Sequence, residues 1–183
     1  MIGSNYRFYT FINFYLSSIQ QGIQSAHLVS ELFAKYSIIS LEREVIQTWA
    51  QRDKTIIVLN GGTTENLTLD IKSAYEYSKL NREFCTPCVE FYEDEKSLGI
   101  YDKGILTGFG IVVPEEMWDA KEVHQQTNMN AAVNNFYSQT KYRYVNIESC
   151  KEGQVPKSKW IDYDWMDSET RIIDLIRSKN LAR

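Results

Sequence analysis

Four runs of apolar residues in the first two thirds of the chain predict β-strands. The first run reads RFYTFINFY and is aromatic and β-branched, which is typical of a strand. After its lysine, the run KTIIVL is dominated by β-branched residues, which predicts a buried strand. Two further runs have similar character, and Pro114 ends the last one. The predicted strands are 7–15, 54–59, 88–92 and 106–113.

Helical periodicity fills the intervals between these strands. In the first interval, Ile19, Ile23, Ala26 and Phe33 recur close to the 3.6-residue period, which predicts that they form the buried stripe. The stripe is widened by Leu28, Val29 and Leu32. Polar residues lie off this stripe: Gln20, Gln21, Gln24 and Glu31. Ser17 or Ser18 is a suitable N-cap, and a glutamine three residues later completes a capping box. The predicted helices are 18–36, 41–51, and Thr63 or Thr64 to about Asn81.

The last third has a different composition. Asparagine and glutamine crowd the stretch 118–135, which we interpret as a polar helix. A strand is predicted at 142–147 and a final helix at 169–179, after an irregular aromatic stretch at 151–167. No Gly/Ser-rich linker interrupts the chain, so we expect this extension to pack on the core. The predicted division is an α/β domain at 1–118 and an α-containing C-terminal extension at 119–183.

The element order β-α-α-β-α-β-β predicts an α/β fold, a three-layer sandwich around a small mixed sheet. Composition agrees with a globular chain, since 43% of residues are hydrophobic and 13% aromatic. The net charge of −4 argues against a general nucleic-acid binder. No segment has about 18 consecutive apolar residues, and the N-terminus lacks the pattern of a signal peptide. These features predict a cytoplasmic protein that does not engage membranes.

The cysteines offer a weak redox signal. Cys85 and Cys88 have the C-x-x-C spacing, but they precede a strand instead of opening a helix, which favours plain buried thiols. Cys150 makes the number odd, as expected in a reducing compartment. With only His27 and His124 as imidazole ligands, we expect neither a metal site nor a cofactor.

The junction between the first strand and the first helix is the candidate site. In α/β folds, ligands collect at strand ends where helix N–H groups face a cleft. Neutral amide and hydroxyl side chains there can recognise a sugar, a base edge or a phosphate, and an aromatic ring can stack. A turn after the second predicted strand can add backbone N–H groups. The candidate ligand-binding residues are Asn13, Tyr15, Ser17, Ser18, Gln20, Gln21, Gln24, Asn60, Gly61 and Gly62.

Several motifs in this order resemble the type II peptidyl-tRNA hydrolases over about residues 6–118. The helix carries Gln-Ser-Ala-His ending at His27, Trp49 precedes the second strand, and Asp94 follows the third. The last strand carries Leu-Thr-Gly-Phe-Gly and ends at Pro114. The resemblance implies that family's fold. If the chain is a hydrolase, it also implies that His27, Asp94 and Ser18 serve catalysis.

The positions of the family's turn lysines hold other residues here. They are occupied by Ser18 and Gln20, and the chain has no lysine or arginine between Arg7 and Lys35. Hydrolysis of peptidyl-tRNA needs cations for phosphates and for charge developing on the carbonyl oxygen. The family's Gly-Arg-Thr after its aspartate is replaced by Glu-Lys-Ser at 95–97.

These departures favour a non-catalytic binding protein that holds or sequesters a small nucleotide-type ligand. A viral or mobile-element counter-defence protein is one setting that fits such sequestration. One alternative is an active peptidyl-tRNA hydrolase with tRNA as its partner. Another is a protein-interaction module that uses the aromatic tail. The sequence leaves homo-oligomerisation open.

Overall fold

The computed structural model describes residues 5–80, 85–93, 104–118, 121–123, 143–145 and 167–182. Four strands form one mixed sheet: β1 (Tyr6–Asn13), β2 (Thr55–Gly62), β3 (Cys88–Glu93) and β4 (Ile105–Pro114). Their order across the sheet is β2-β1-β4-β3. Strand β1 is parallel to β2 and antiparallel to β4, and β3 is antiparallel to β4. The predicted mixed sheet is therefore confirmed. The predicted burial of the second strand is wrong, because β2 lies at the edge of the sheet, and Ile56 is 40% exposed.

The helices are α1 (Ser18–Lys35), α2 (Leu41–Thr48), α3 (Thr64–Leu80), α4 (Glu115–Trp118) and α5 (Asp167–Ser178). Helix α2 continues as a π-helical turn, Trp49–Asp53, and the Trp49 indole donates to the Thr55 carbonyl at 2.9 Å. The sequence predicted an ordinary helix to residue 51. The wider π turn ends in the left-handed region, at Lys54 with φ of 52°, and leads directly into β2.

Two hydrophobic clusters cover the two faces of the sheet. One contains Phe11, Phe109 and Leu67 with Ile172 and Ile173 of α5. The other packs Phe8, Leu28 and Trp49 against the opposite face, under α1 and α2. The chain is therefore α/β with helices on both sides of a small open sheet. The proposed boundary at residue 118 stays a prediction.

The polar stretch after Trp118 was predicted to be a helix. That prediction is wrong where the structure describes it, because Lys121–Val123 is a short strand, β5. It pairs antiparallel with β6 (Arg143–Val145), within the segment predicted as a strand. Residues 124–135 and the aromatic stretch 151–166 lie outside the described residues. Among the helices of the described ranges, none is long and apolar enough to cross a bilayer.

Candidate functional site

Two strands end and two helices begin at one edge of the sheet. Strands β1 and β2 are parallel and finish side by side, with Asn13 opposite Gly62. Helix α1 begins at Ser18 just after β1, and helix α3 begins at Thr64 just after β2. Both helices therefore present their N-terminal ends at the edge where β1 and β2 finish. Helix N-termini favour negatively charged or hydrogen-bond-accepting groups.

Both irregularities of the sheet fall near this edge. The β1–β2 register shifts between Ile12 and Asn13, which leaves Gly61 as an extra residue. The β3–β4 register shifts between Phe91 and Tyr92, which leaves Thr107 as an extra residue in β4. Bulges redirect side chains and are common beside functional sites. Here one bulge places Thr107 beneath α1, where its hydroxyl donates to Gln24 at 2.9 Å.

At the start of helix α1, polar residues face the sheet. The apolar stripe predicted to face it does not. Gln21, Gln24 and Ser25 are buried, whereas Ile19 is 78% exposed and Ile23 is 49% exposed. The predicted inward stripe is wrong at Ile19, Ile23 and Ala26, which are all exposed. It is right further on, where Leu28 and Leu32 are buried. The reason is that the sheet below offers hydrogen-bonding partners here, so that buried polar groups are satisfied.

Two chains of hydrogen bonds hold this polar interface together. In the first, Ser25 Oγ lies 3.1 Å from Thr10 Oγ1 and donates to the Gln21 carbonyl. In the second, Gln24 accepts from Thr107 and donates from Nε2 to Glu93 Oε2 at 2.7 Å. Gln24 was predicted to contact a ligand, but both ends of its carboxamide are engaged within the protein. Its observed contacts tie α1 to β3 and β4.

The predicted capping box is confirmed at Ser17 and Gln20. The Gln20 backbone N–H donates to Ser17 Oγ at 3.4 Å, and the Ser17 backbone N–H donates to Gln20 Oε1 at 3.0 Å. Ser17 Oγ also donates to Gln20 Oε1 at 2.9 Å. These two side chains therefore stabilise the start of α1, while Ser18 beside them is exposed.

Asn13 is a buried amide at the end of β1. Its Nδ2 donates to the Leu106 carbonyl at 3.0 Å and to the Tyr15 hydroxyl at 2.7 Å. Its Oδ1 is buried and has no hydrogen-bond partner among the residues that the structure describes. Burying an unsatisfied acceptor costs about 1–3 kcal/mol, so a donor from water would stabilise this site.

A cleft of about 380 Å³ opens at this edge and is lined by Phe14, Gln21, Asn60, Asn180 and Leu181. None of these five residues is charged. Three are carboxamides and two are large apolar side chains that stay more than half exposed, Phe14 at 55% and Leu181 at 66%. Such a lining can form hydrogen bonds in both directions and can cover a flat apolar surface.

The remaining predicted site residues differ in their position relative to the cleft. Gln21 and Asn60 line the cleft. Tyr15 lies beside it and contacts Phe14 edge-on, with ring centroids 5.8 Å apart. Gly61 is buried against Leu67, and Gly62 turns the chain with φ of 78°. The sequence reasoning missed Phe14, although it lies in the aromatic run 7–15, directly after the end of β1. It had no signal for Asn180 or Leu181.

The residues implied by the hydrolase resemblance do not gather in the described part of the chain. His27 is exposed on α1, and its ring stacks on Phe91 with a centroid separation of 4.5 Å. Ser18 precedes it by nine residues on the same helix, which corresponds to about 13 Å along the axis. Asp94 lies outside the described residues. No protein-family model matches the sequence, and neither does any curated protein.

The described cysteines are not reactive thiolates. Burial raises the pKa of Cys85 to about 12 and that of Cys88 to about 12. Cys88 lies in β3 and is fully buried, so it lacks the helix N-terminus that activates a redox pair. Within the described ranges, no three acidic, histidine or cysteine side chains come together as a metal site.

Proposed function

We propose that this protein is a non-catalytic binding protein that holds a small nucleotide-type ligand in the cleft beside Phe14. The observation that carries the proposal is the lining itself, which combines an exposed aromatic ring with a set of neutral carboxamides. Aromatic rings stack on nucleobases, and carboxamides bond to the edges of bases. The proposed fold classification is that of the type II peptidyl-tRNA hydrolases.

The position of the cleft supports a ligand that also carries phosphate. Gln21 lies in the first turns of α1, and Asn60 lies three residues before the turn that leads into α3. A base between Phe14 and Leu181 would direct its ribose and phosphate toward these helix starts. Backbone N–H groups at helix N-termini bind phosphate without any lysine. Asn13 is fully buried and is not part of the lining, so its Oδ1, which lacks a partner in the described structure, would accept a hydrogen bond from a bridging water and not from the ligand itself.

The contacts of the implied catalytic residues favour binding over hydrolysis. The two turn-lysine positions hold Ser18 and Gln20, and the Gln20 side chain is committed to the helix cap. A hydroxyl and an engaged amide provide no cation for a developing oxyanion. His27 stacks on Phe91, far along the helix from Ser18, so these two side chains cannot act on one another.

Native mass spectrometry tests the proposal even though the ligand is unidentified. The protein purified from cells should carry an added mass in the nucleotide range, or should acquire one on mixing with AMP, GMP, cyclic AMP or ADP-ribose. A protein that stays at its own mass of 21.4 kDa throughout this series would contradict the proposal.

A protein-interaction module is the second candidate, and the exposed isoleucines of α1 favour it. Ile19 and Ile23 lie one helical turn apart and both face solvent. The same mass spectra would show an oligomer if this surface pairs two copies. Loss of that oligomer in Ile19→Ser, with retention in Ser30→Ala on the same helix, would favour this candidate.

A further inference from the structure

The C-terminal segment Lys179–Ala182 adds a short length of extended chain to the outer edge of β2. We call this segment the strap. The Asn60 N–H donates to the Asn180 carbonyl at 2.9 Å, and the Ala182 N–H donates to the Val58 carbonyl at 3.0 Å. Leu59 and Leu181 form an antiparallel bridge between these two bonds. The strap therefore satisfies backbone groups that an edge strand would leave unpaired.

The strap is also fixed at its start. Lys179 Nζ lies 2.7 Å from Asp70 Oδ2 on α3, and each side chain is only about one-fifth exposed. Just before the strap, helix α5 places Ile172 and Ile173 in the hydrophobic core. These attachments on both sides determine where Asn180 and Leu181 lie. The ion pair and the packing of α5 therefore hold Asn180 and Leu181 in place.

The strap supplies one wall of the cleft. Asn180 and Leu181 belong to the strap, and the remaining lining comes from Phe14, Gln21 and Asn60. We infer that the strap is part of the nucleotide site, with Leu181 and Phe14 enclosing the base and Asn180 determining which base is bound. This inference rests on the proposed function, because it assigns the chemistry of the same cleft.

The chemistry of the lining favours adenine over guanine. A carboxamide donates and accepts together, which matches the N7 acceptor and N6 donor of adenine. Guanine presents two acceptors at N7 and O6, which arginine or lysine reads best. The described lining contains amides and no cation. Asn60 accepts from the Gly62 N–H through Oδ1, and Gln21 donates from Nε2 to the Leu16 carbonyl. Asn180 is exposed and has no side-chain hydrogen bond among the described contacts, so its carboxamide is the one available to a base.

The test is calorimetric titration of AMP and GMP into the wild type, Asn180→Ala and Asn180→Asp. We expect the wild type to prefer AMP, and Asn180→Ala to lose about tenfold in AMP affinity, the typical effect of one hydrogen bond. Because GMP affinity should change less, the AMP-to-GMP ratio should fall toward one. Asn180→Asp keeps the side-chain volume but loses the N–H donor, so it should lose AMP affinity as well.

Ser178→Ala is the matched control. Ser178 lies two residues from Asn180 and donates to the Leu175 carbonyl, but it does not line the cleft. This variant should bind both nucleotides as the wild type does. Thermal unfolding of every variant checks that the strap region is still folded, which the exposure of Asn180 leads us to expect.

Two failures are distinguishable. If the wild type binds neither AMP nor GMP, nor cyclic AMP nor ADP-ribose, the proposed function fails and the inference fails with it. If the wild type binds but Asn180→Ala keeps both affinities and their ratio, the role of the strap is overturned while the proposed function stands. A wild type that prefers GMP would overturn the assignment of adenine.

Discussion

Thr107 and Gln24 share a 2.9 Å hydrogen bond beneath helix α1, although 83 residues separate them in sequence. Both side chains are buried, Thr107 to 5% exposure and Gln24 to 6%. The β4 bulge brings Thr107 to this position, and Glu93 at the end of β3 accepts from the other end of the Gln24 amide. One glutamine therefore links α1 to two strands at the edge that carries the candidate site.

This link predicts a stability effect of Thr107→Val. The substitution removes the donor and leaves Gln24 Oε1 buried, which should lower the free energy of unfolding by about 1–3 kcal/mol. Urea denaturation measures this difference. Ser30→Ala is the control, since Ser30 is exposed on the same helix and donates only to the Ala26 carbonyl. Equal midpoints for the two variants would contradict the structural role of the Thr107–Gln24 bond.

Gly61 and Gly22 provide a matched pair of substitutions to alanine. At Gly61, a Cβ would overlap the Leu67 side chain and approach the Ile12 backbone N and O at 3.1 Å, so Gly61→Ala should destabilise by about 1–3 kcal/mol. At Gly22, within α1, a Cβ meets nothing within 4 Å. Gly22→Ala should stabilise by about 0.5–1 kcal/mol, because alanine is the better helix former. An unchanged or raised melting temperature in Gly61→Ala would refute this packing of the β2 bulge.

Alkaline pH should destabilise the protein through buried neutral groups. Burial raises the pKa of Cys85 and Cys88 from 9.0 to about 12, and that of Tyr36 from 10.0 to about 12. Because the folded-state pKa values lie above the unfolded ones, their stabilisation is complete below pH 9 and is lost as the pH rises toward 12. Urea denaturation across this window should show a falling free energy of unfolding.

Alkylation checks the cause of that pH dependence. Iodoacetamide near neutral pH should leave Cys85 and Cys88 unmodified in the native protein and should modify both in urea, as peptide mapping by mass spectrometry would show. Rapid labelling of Cys88 in the native protein would mean that the thiol is accessible and ionised, which contradicts the burial of its side chain in β3.

Under the proposed hydrolase resemblance, Ser18 and Gln20 at the positions of that family's turn lysines predict weak peptidyl-tRNA hydrolysis. We expect release of labelled peptide at least ~100-fold slower than with a competent hydrolase, the typical cost of losing one oxyanion-stabilising group. His27→Ala should leave any residual rate unchanged, because His27 stacks on Phe91. Release at ordinary enzyme rates, abolished in His27→Ala, would instead support the hydrolase alternative.

The strands of the sheet were predictable because the local sequence of each one identifies it. The unbroken apolar run of β2 and the aromatic run of β1 identify strands whatever their pairing partners are. The cap of α1 was predictable for the same reason, since Ser17 and Gln20 are three residues apart. Element bounds differ from the predictions by one or two residues in most cases, as at β1, which ends at Asn13 and not at residue 15.

The orientation of α1 could not be predicted from its own sequence. The rule that apolar residues face inward assigns Ile19 and Ile23 to the core, but Thr10 and Thr107 on the sheet select Ser25 and Gln24 instead. These partners are distant in sequence, and the β4 bulge that aims Thr107 depends on pairing with β3. The cleft was only partly predictable for the same reason, because Asn180 reaches it through the strap.

The measurement that tests the central claim most directly is calorimetric titration of the wild type, Phe14→Ala and Tyr92→Ala with AMP, GMP, cyclic AMP and ADP-ribose. Phe14 lines the cleft, and Tyr92 is an exposed aromatic residue of β3 that does not. We expect saturable binding of at least one compound by the wild type and Tyr92→Ala, and a loss of about 1–3 kcal/mol in Phe14→Ala, the usual contribution of base stacking. Absence of binding to all four compounds, or unchanged affinity in Phe14→Ala, would contradict a nucleotide site in this cleft.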